Sequence, residues 1–453
     1  MDWVNHASFI LRSGAVSLLC DPWLDGAIFN QGWSLLSPTR LAYDDFAAIT
    51  HIWFSHEHPD HFSPPCLKKI PEQYRRRITV LFHITKDKRV VNLCKALGFA
   101  VVELPEWQTV EIAPDFKIMS GMQGLIDSWS AIFAEGKTLL NMNDCVFERD
   151  RELEEIKREV GNIDVLLSQF SYATWVGNRD NLAAHKKHAA HKLMEMSRQI
   201  RVFEPAQFIP FASYIFFSHS ENVFMNENSN RIGDVFHYLT RELNAPTVVL
   251  YPGDEWIVGS PFDSAESIRR YNEDYNRVQA AAPTAPTISS LVTLEEAAEK
   301  FILKFSEKNN RFLLNALPPA VVYLSDLDVH LELSFRGGLR VVEGAQPDII
   351  LSSDSLLNCL TTDWGGETLV INGRFQVPSG GRPRRFFWIF RVPRHNSVGT
   401  TLDLKFLGRQ AVEKVRSAVN SRWCLLPGLV TVSLPAANCA NDRKPFRLHG
   451  GRR

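Results

Sequence analysis

The sequence predicts an α/β protein: a layered α/β region followed by a smaller α+β one. Three observations carry this. Short apolar runs alternate with helical stretches over the first two thirds of the chain. A stretch rich in Ala, Pro, Thr and Ser, QAAAPTAPTISS at 279–290, then reads as a linker. Beyond it the order changes to a helix, a run of strands and further short elements. The predicted divisions are a first, α/β domain at 1–278, the linker at 279–290, an α+β domain at 291–440 and a basic tail at 441–453.

In order along the chain, Ala15–Cys20 (AVSLLC), Thr50–Ser55 (THIWFS), Ile78–Phe82 (ITVLF), Thr138–Met142 (TLLNM) and Asp164–Ser168 (DVLLS) read as buried strands bounded by polar turns. Lys86–Leu97 and Asp150–Val160 read as helices, the second with Asp150 as its N-cap and with Glu–Lys and Glu–Arg pairs at helical spacing. After the linker, Leu294–Asn315 reads as one helix. Strands follow at Ala320–Leu324, Val329–Ser334 and Leu339–Val342, then a short helix near Ser355–Leu360, a Gly-Gly turn and a strand at Thr368–Ile371 (TLVI).

Composition narrows the function classes. Apolar residues are 45% and charged residues 22% of the 453 positions, with a formal net charge of -1. That balance argues against a strongly basic nucleic-acid or membrane-surface protein. No apolar run approaches the roughly 20 residues that span a bilayer. The opening MDWVNHASFILRSG has neither a basic n-region nor a cleavage site, so a cytoplasmic protein is expected. The seven cysteines are scattered and form no CxxC and no Cys-x-His pair. A disulfide framework, a thiolate zinc site and a Rieske cluster are therefore not expected; buried, reduced thiols are. No GxGxxG or P-loop points to a flavin, nicotinamide or nucleotide site.

The chemistry-bearing stretch is IWFSHEHPDHFS (52–63), with three histidines and an aspartate directly after a predicted strand. Alternate residues of an extended segment point the same way, so His56, His58 and Asp60 are expected on one side and His61 on a neighbouring point. The pattern suits two adjacent metal ions. Imidazole and carboxylate donors suit zinc, iron or manganese.

With that HxHxDH motif the chain resembles the metallo-β-lactamase-fold proteins, over roughly residues 1–260. The resemblance implies an αββα sandwich with a metal centre at one edge of its paired sheets. NHASFILRSGAVSLLCDPWLDG resembles the family's opening strands, which end in an aspartate near the metals, here Asp21. KTLLNMNDC ends in Asp144, at the place of the metal-bridging aspartate. Two positions depart from the family pattern. The region that carries a histidine ligand in most members is SGMQGLIDSWSAIF, where Gln123 and Asp127 are the available oxygen donors. The final histidine ligand is matched by His219 in FASYIFFSHSEN. His185, His188 and His191, at i, i+3, i+6 between lysines, compete with it but read as one solvated helix face.

The resemblance thus implies terminal ligands at His56, His58, Asp60, His61 and His219 and a bridge at Asp144. Asp21 and His6 stand behind them to orient imidazoles, and Glu57 and Asp127 are proton relays or extra ligands.

Within the fold, the chain is similar to the CMP-N-acetylneuraminic acid hydroxylase branch. THIWFSHEHPDHFS, DSWSAIFAEGKTLLNMNDC, LLSQFSYATWVGN, FIPFASYIFFSHSENVFMN and PDIILSSDSLLNCLTTDWGGETLVINGRFQV carry that similarity. It implies a monooxygenase. Loss of a histidine in favour of oxygen donors suits a pair of iron ions with O2 as co-substrate. Diiron monooxygenases of diterpenoid natural-product pathways, of the platensimycin–platencin type, offer one implied role. PDIILSSDSLLNCL…TLVINGRF resembles sterol-carrier-type domains, which implies a small hydrophobic substrate such as an acyl thioester. Electrons would come from an external ferredoxin or reductase, and self-association is compatible with the sequence. The alternatives are a dinuclear zinc or manganese hydrolase of a phosphodiester, lactone or thioester, and a hydroxylase of a nucleotide sugar.

Overall fold

A computed structural model describes residues 1–403 except Leu125 and Val398. The basic tail and the last part of the expected α+β domain lie outside these residues. Two six-stranded sheets lie face to face. The first runs in the order Asp2–Asn5, Ser8–Ser13, Val16–Cys20, His51–Trp53, Thr79–His83, Ala100–Leu104, and its last four strands are parallel. The second runs Gln207–Phe211, Val165–Gln169, Lys137–Asn143, Asp127–Ala134, Phe116–Gln123, Thr109–Ala113, with its first three strands parallel.

The alternation of strand side chains builds two cores. In Val16–Cys20, Val16, Leu18 and Cys20 enter the core between the sheets with Trp53, Trp129, Leu140 and Leu166. Leu19 and Ile52 point the other way, onto the helices Pro64–Lys69 and Arg89–Ala96, whose Leu67, Val90 and Cys94 cover that face. Leu153, Ile156 and Val160 of Asp150–Val160 and Met196 and Phe203 of Leu182–Phe203 pack with the second sheet. The result is the expected αββα sandwich. Gly121 faces Trp129 across the sheet, and a Cβ there would stand 2.4 Å from the indole. Only glycine leaves room for that ring.

The C-terminal region is α+β. A five-stranded sheet, in the order Gly338–Val341, Val329–Ser334, Ala320–Leu324, Ile349–Leu351, Phe375–Gln376, is joined by helices at Leu291–Lys308, Arg311–Asn315, Ser353–Thr361, Gly365–Asn372 and Arg384–Ser397. Its phenylalanines pack against one another with tilted rings: Phe301 lies 4.9 Å from Phe305 and 5.2 Å from Phe390, centroid to centroid.

Three local expectations change. Leu294–Asn315 is two helices, because the chain turns at Asn309 and Asn310, and Asn310 caps the second by accepting from the Phe312 and Leu313 amides. TLVI is not a strand. It lies inside the helix Gly365–Asn372, whose glycines are start residues rather than a turn: a Cβ on Gly366 would lie 2.5 Å from Phe390 Cβ. The N-cap of Asp150–Val160 is Arg149, with Asp150 the first helical residue. The five described cysteines are buried and unpaired, as expected. Among the described residues no helix is long and apolar enough to cross a membrane.

Candidate metal centre

Two strand ends converge to make the site. Cys20 and Trp53 are paired in register, so the first sheet delivers Asp21 and the segment Ser55–His61 side by side. The second sheet delivers Asp144 just after Lys137–Asn143 and Asp127 at the start of Asp127–Ala134. Asp21 and Asn143 both have left-handed backbones, with φ of 39° and 50°, a conformation that costs about 1 kcal/mol or more outside glycine. Hydrogen bonds offset it at Asp21. Its buried carboxylate accepts from Ser55 N and Ser55 Oγ, both at 2.7 Å, from Asn143 Nδ2 at 2.5 Å, and contacts His61 Nδ1 at 3.0 Å.

The motif itself is not extended. The amides of His61 and Phe62 both donate to His58 O, at 3.0 and 2.7 Å, reversing the chain after Pro59. Ser63 then caps the next helix by accepting from Cys66 N. Because of that turn Asp60 does not share a side with His56 and His58. Three groups form instead, each with its donor atoms within 4.8 Å of one another: His56, His58 and Asp127; His56, His61 and Asp144; His6, Asp60 and His61. Sharing of His56 and His61 links them into one centre.

The donors crowd without satisfying one another. His56 Nε2 lies 2.9 Å from His58 Nδ1 and 3.7 Å from Asp127 Oδ1. His61 Nε2 is 3.2 Å from Asp60 Oδ2 and 3.4 Å from Asp144 Oδ2, and Gln169 Nε2 donates to the other Asp144 oxygen at 3.1 Å. His6 Nε2 is 3.4 Å from Asp60 Oδ2. Both nitrogens of His6, Asp60 Oδ1, Asp127 Oδ1 and His61 Nε2 are buried without a hydrogen-bond partner, a costly state in a protein interior. A cation set among these atoms satisfies them together, so imidazole and carboxylate donors of this number and burial fit a dinuclear metal site.

The electrostatics agree. Burial, with the Asp144 charge second, pushes Asp127 up to about 7. Burial drives His56 well below the ordinary imidazole range. It opposes the charged forms of His61 and Asp60 too, yet Asp60 and Asp144 hold His61 well above its usual value, and His61 and His6 hold Asp60 well below. Three carboxylates here call for positive charge.

Other predicted residues lie elsewhere. Glu57 turns away to Arg89, 2.8 Å from its Nη2, and burial raises its carboxyl. Gln123 donates to Val146 O at 2.8 Å. His219 is in none of the three groups. After Gln207–Phe211 the chain leaves the second sheet, and Ile215–Phe217 pairs with Trp33–Leu35, carrying His219 to Glu221, 3.3 Å away, and to a bridge with Thr284. At the strand's end stands Ala212, which has no donor side chain; its amide donates to His6 O at 2.9 Å. His6 thus occupies the neighbourhood that His219 does not reach. The solvated face expected of the three helical histidines holds only for His191. His185 is fully buried, its Nε2 3.3 Å from Gly177 O, and His188 is half-buried. Three residues per step is not a full turn, so the row drifts around the helix.

No sequence signal marked His6 as a group facing the metals. It was expected only to orient an imidazole; its ring is buried against Trp23 at 5.9 Å and His61 at 5.7 Å.

Residues 17–211 match the β-lactamase superfamily domain, and the chain has the metallo-β-lactamase fold. It is 26% identical over 250 residues to cytidine monophosphate-N-acetylneuraminic acid hydroxylase of Danio rerio, covering 51% of this chain and 41% of that protein. It is 28% identical over 199 residues to a Mycolicibacterium smegmatis protein named for a Rieske 2Fe-2S iron-sulfur centre, covering 41% and 37%. The chain spans about two fifths of the length of these relatives. Among solved structures, CmlA, a diiron β-hydroxylase from Streptomyces venezuelae, superposes with a TM-score of 0.36 at 15% identity, over 62% of this chain and 51% of that one.

Proposed function

We propose that the chain is a metal-dependent oxygenase on a metallo-β-lactamase scaffold, with a non-haem diiron centre that hydroxylates a C–H bond of a small substrate. The observation that carries this reading is Asp127. A carboxylate with a buried, unpartnered oxygen stands beside His56 and His58, where an additional imidazole would favour zinc. One metal would be held by His56, His58 and Asp127, the other by His6, Asp60 and His61, and Asp144 would lie between them. Bound iron would supply reductive activation of O2, with electrons from an external ferredoxin or reductase; the likeness to a Rieske-named protein supports such a donor.

The chain's own residues do the rest. Asp21 fixes His61 through its Nδ1, Gln169 fixes Asp144, and Phe29 sets its ring edge-on to His58 at 6.2 Å. The substrate class proposed first is a hydrophobic natural-product intermediate such as a diterpenoid acyl thioester. A nucleotide sugar is the second reading, favoured by the likeness to the sialic acid hydroxylase.

The test is metal analysis and Mössbauer spectroscopy on iron-loaded protein, with turnover of both substrate classes under 18O2. Two irons per chain and label in the product are expected. Full activity of a zinc form without O2, with oxygen from water, would identify a hydrolase instead. Asp144→Ala is expected to lose at least one metal.

A further inference from the structure

We propose that a cavity separate from the metal centre is a binding site for an amphiphilic anion, a carboxylate or phosphate carried on an apolar body. Three elements supply most of its lining: the strand Ile215–Phe217, the 3-10 helix Val223–Asn228 and the end of the helix Ala265–Ala280. Its volume is about 480 Å³, within the range of small-molecule sites. No residue lining it belongs to the three donor groups, so it is a second site, independent of which metal the centre holds.

Two arginines line this cavity, Arg179 from the turn before Leu182–Phe203 and Arg231 from the cap of the helix Ile232–His237. Each guanidinium lies over a buried aromatic ring, Arg179 over Phe224 at 5.4 Å and Arg231 over Tyr275 at 5.2 Å. A ring beneath a guanidinium supports its flat face and leaves the N–H edge for a ligand. Those edges are nearly unused. Arg179 Nη2 reaches Ser220 O at 3.5 Å and Arg231 Nη2 reaches Gln279 Oε1 at 3.3 Å, both long for a hydrogen bond. Among the described residues neither guanidinium has a carboxylate partner.

The other lining side chains define the rest of the ligand. Ile215, Phe216, Val223 and Val278 form an apolar wall, from which a bare inorganic anion gains nothing. Glu227 is the single lining carboxylate and is exposed, where solvent and salt screen its charge. Against two arginines it leaves the lining net positive. A cation is disfavoured by that balance, and a neutral apolar molecule leaves both guanidinium edges without a partner. An oxyanion takes charge-assisted bonds from them, while an apolar body attached to it covers the wall and leaves water.

The test is calorimetric titration of the full chain with octanoate and with octylphosphonate, whose P–C bond resists hydrolysis. Octanol and inorganic phosphate serve as controls for the chain alone and the charge alone. Wild type is compared with Arg179→Gln and Arg231→Gln, and the melting temperature is read on each. Saturable binding of at least one octyl anion is expected, about tenfold tighter than that of octanol or of phosphate. Each arginine exchange should weaken it about tenfold with the melting temperature unchanged, since Arg179 is exposed and neither side chain holds an ion pair among the described residues. The tighter of the two octyl anions names the oxyanion. No saturable binding to wild type, an affinity for octanol or for phosphate equal to that for the octyl anions, or an unchanged affinity in either arginine variant would each overturn the assignment. The last result is also what an anion seated on the metals would give, so binding at the metal centre is not mistaken for binding here.

Discussion

At the scale of single residues, the centre is defined by which polar atoms have nowhere else to go. His6 is buried with both ring nitrogens unpaired and Nε2 turned to Asp60, whereas His219 Nδ1 already meets Glu221. His6→Ala is therefore expected to lose about one of two metal equivalents, and His219→Ala to retain both, by elemental analysis after dialysis. The reverse pattern would restore His219 as the ligand. On the proposed reading, Asp127 sets the metal preference. Exchanging it for His removes one of three carboxylates and adds an imidazole to the His56–His58 pair. Asp127→His is expected to shift the bound metal from iron toward zinc when both are offered, with loss of oxygen-dependent turnover. An unchanged iron-to-zinc ratio would show that Asp127 does not set the preference. The HxHxDH residues, Asp21, Asp127 and Asp144 were legible because each follows or opens an apolar run that could only be a strand. His6 was read only as a group behind the ligands; that its Nε2 turns to Asp60 at 3.4 Å depends on a placement in which Ala212, some two hundred residues away, donates to its carbonyl.

At the scale of elements, strands of the sandwich read well because they are apolar on both faces and end in polar turns. Helices read well where charge pairs marked a solvent face, as in Asp150–Val160. TLVI misled because four β-branched and apolar residues within an eight-residue helix carry no helical period, and the close packing that makes Gly365 and Gly366 obligatory is tertiary. Gly121 is a similar case in the second sheet of the sandwich. A methyl group there would sit 2.4 Å from Trp129 Cζ2, and Trp129 lies in the strand that Asp127 opens. Gly121→Ala is expected to cost roughly 1–3 kcal/mol, seen as a lower urea midpoint. Adding Trp129→Phe, with its smaller ring, should recover part of the loss. Wild-type stability of Gly121→Ala would mean that the indole is free to move aside.

At the scale of the whole molecule, the C-terminal region supports the loop that sets Phe29 against His58. Phe29, Asn30 and Gln31 hold three successive left-handed conformations, with φ of 49°, 53° and 58°. None is glycine, so the segment stores strain of roughly 1–3 kcal/mol per residue and must be held from outside. Asn372 Nδ2 donates to Phe29 O at 2.9 Å, and Arg374 Nη1 to Asn30 O at 2.6 Å. Ser218 Oγ donates to Gln31 O at 3.3 Å, and Asn222 Nδ2 to Gly32 O at 2.9 Å. Arg374 is 1% exposed and also pairs with Glu221 at 2.6 Å and Asp354 at 3.0 Å, so its three nitrogens meet three different acceptors. Lysine cannot reproduce that fork. Arg374→Ala takes the guanidinium from two half-buried carboxylates and from Asn30 O and is expected to cost about 1.5–3 kcal/mol; Arg374→Lys should recover little. Asn372→Ala removes its bond to the loop and the acceptor of the Arg374 amide at 2.9 Å, and should cost about 1–3 kcal/mol. Because Phe29 stands against His58, that same variant should also alter the visible absorption of cobalt-loaded protein. A cobalt spectrum identical to wild type would show that the C-terminal region braces the chain without shaping the metal centre.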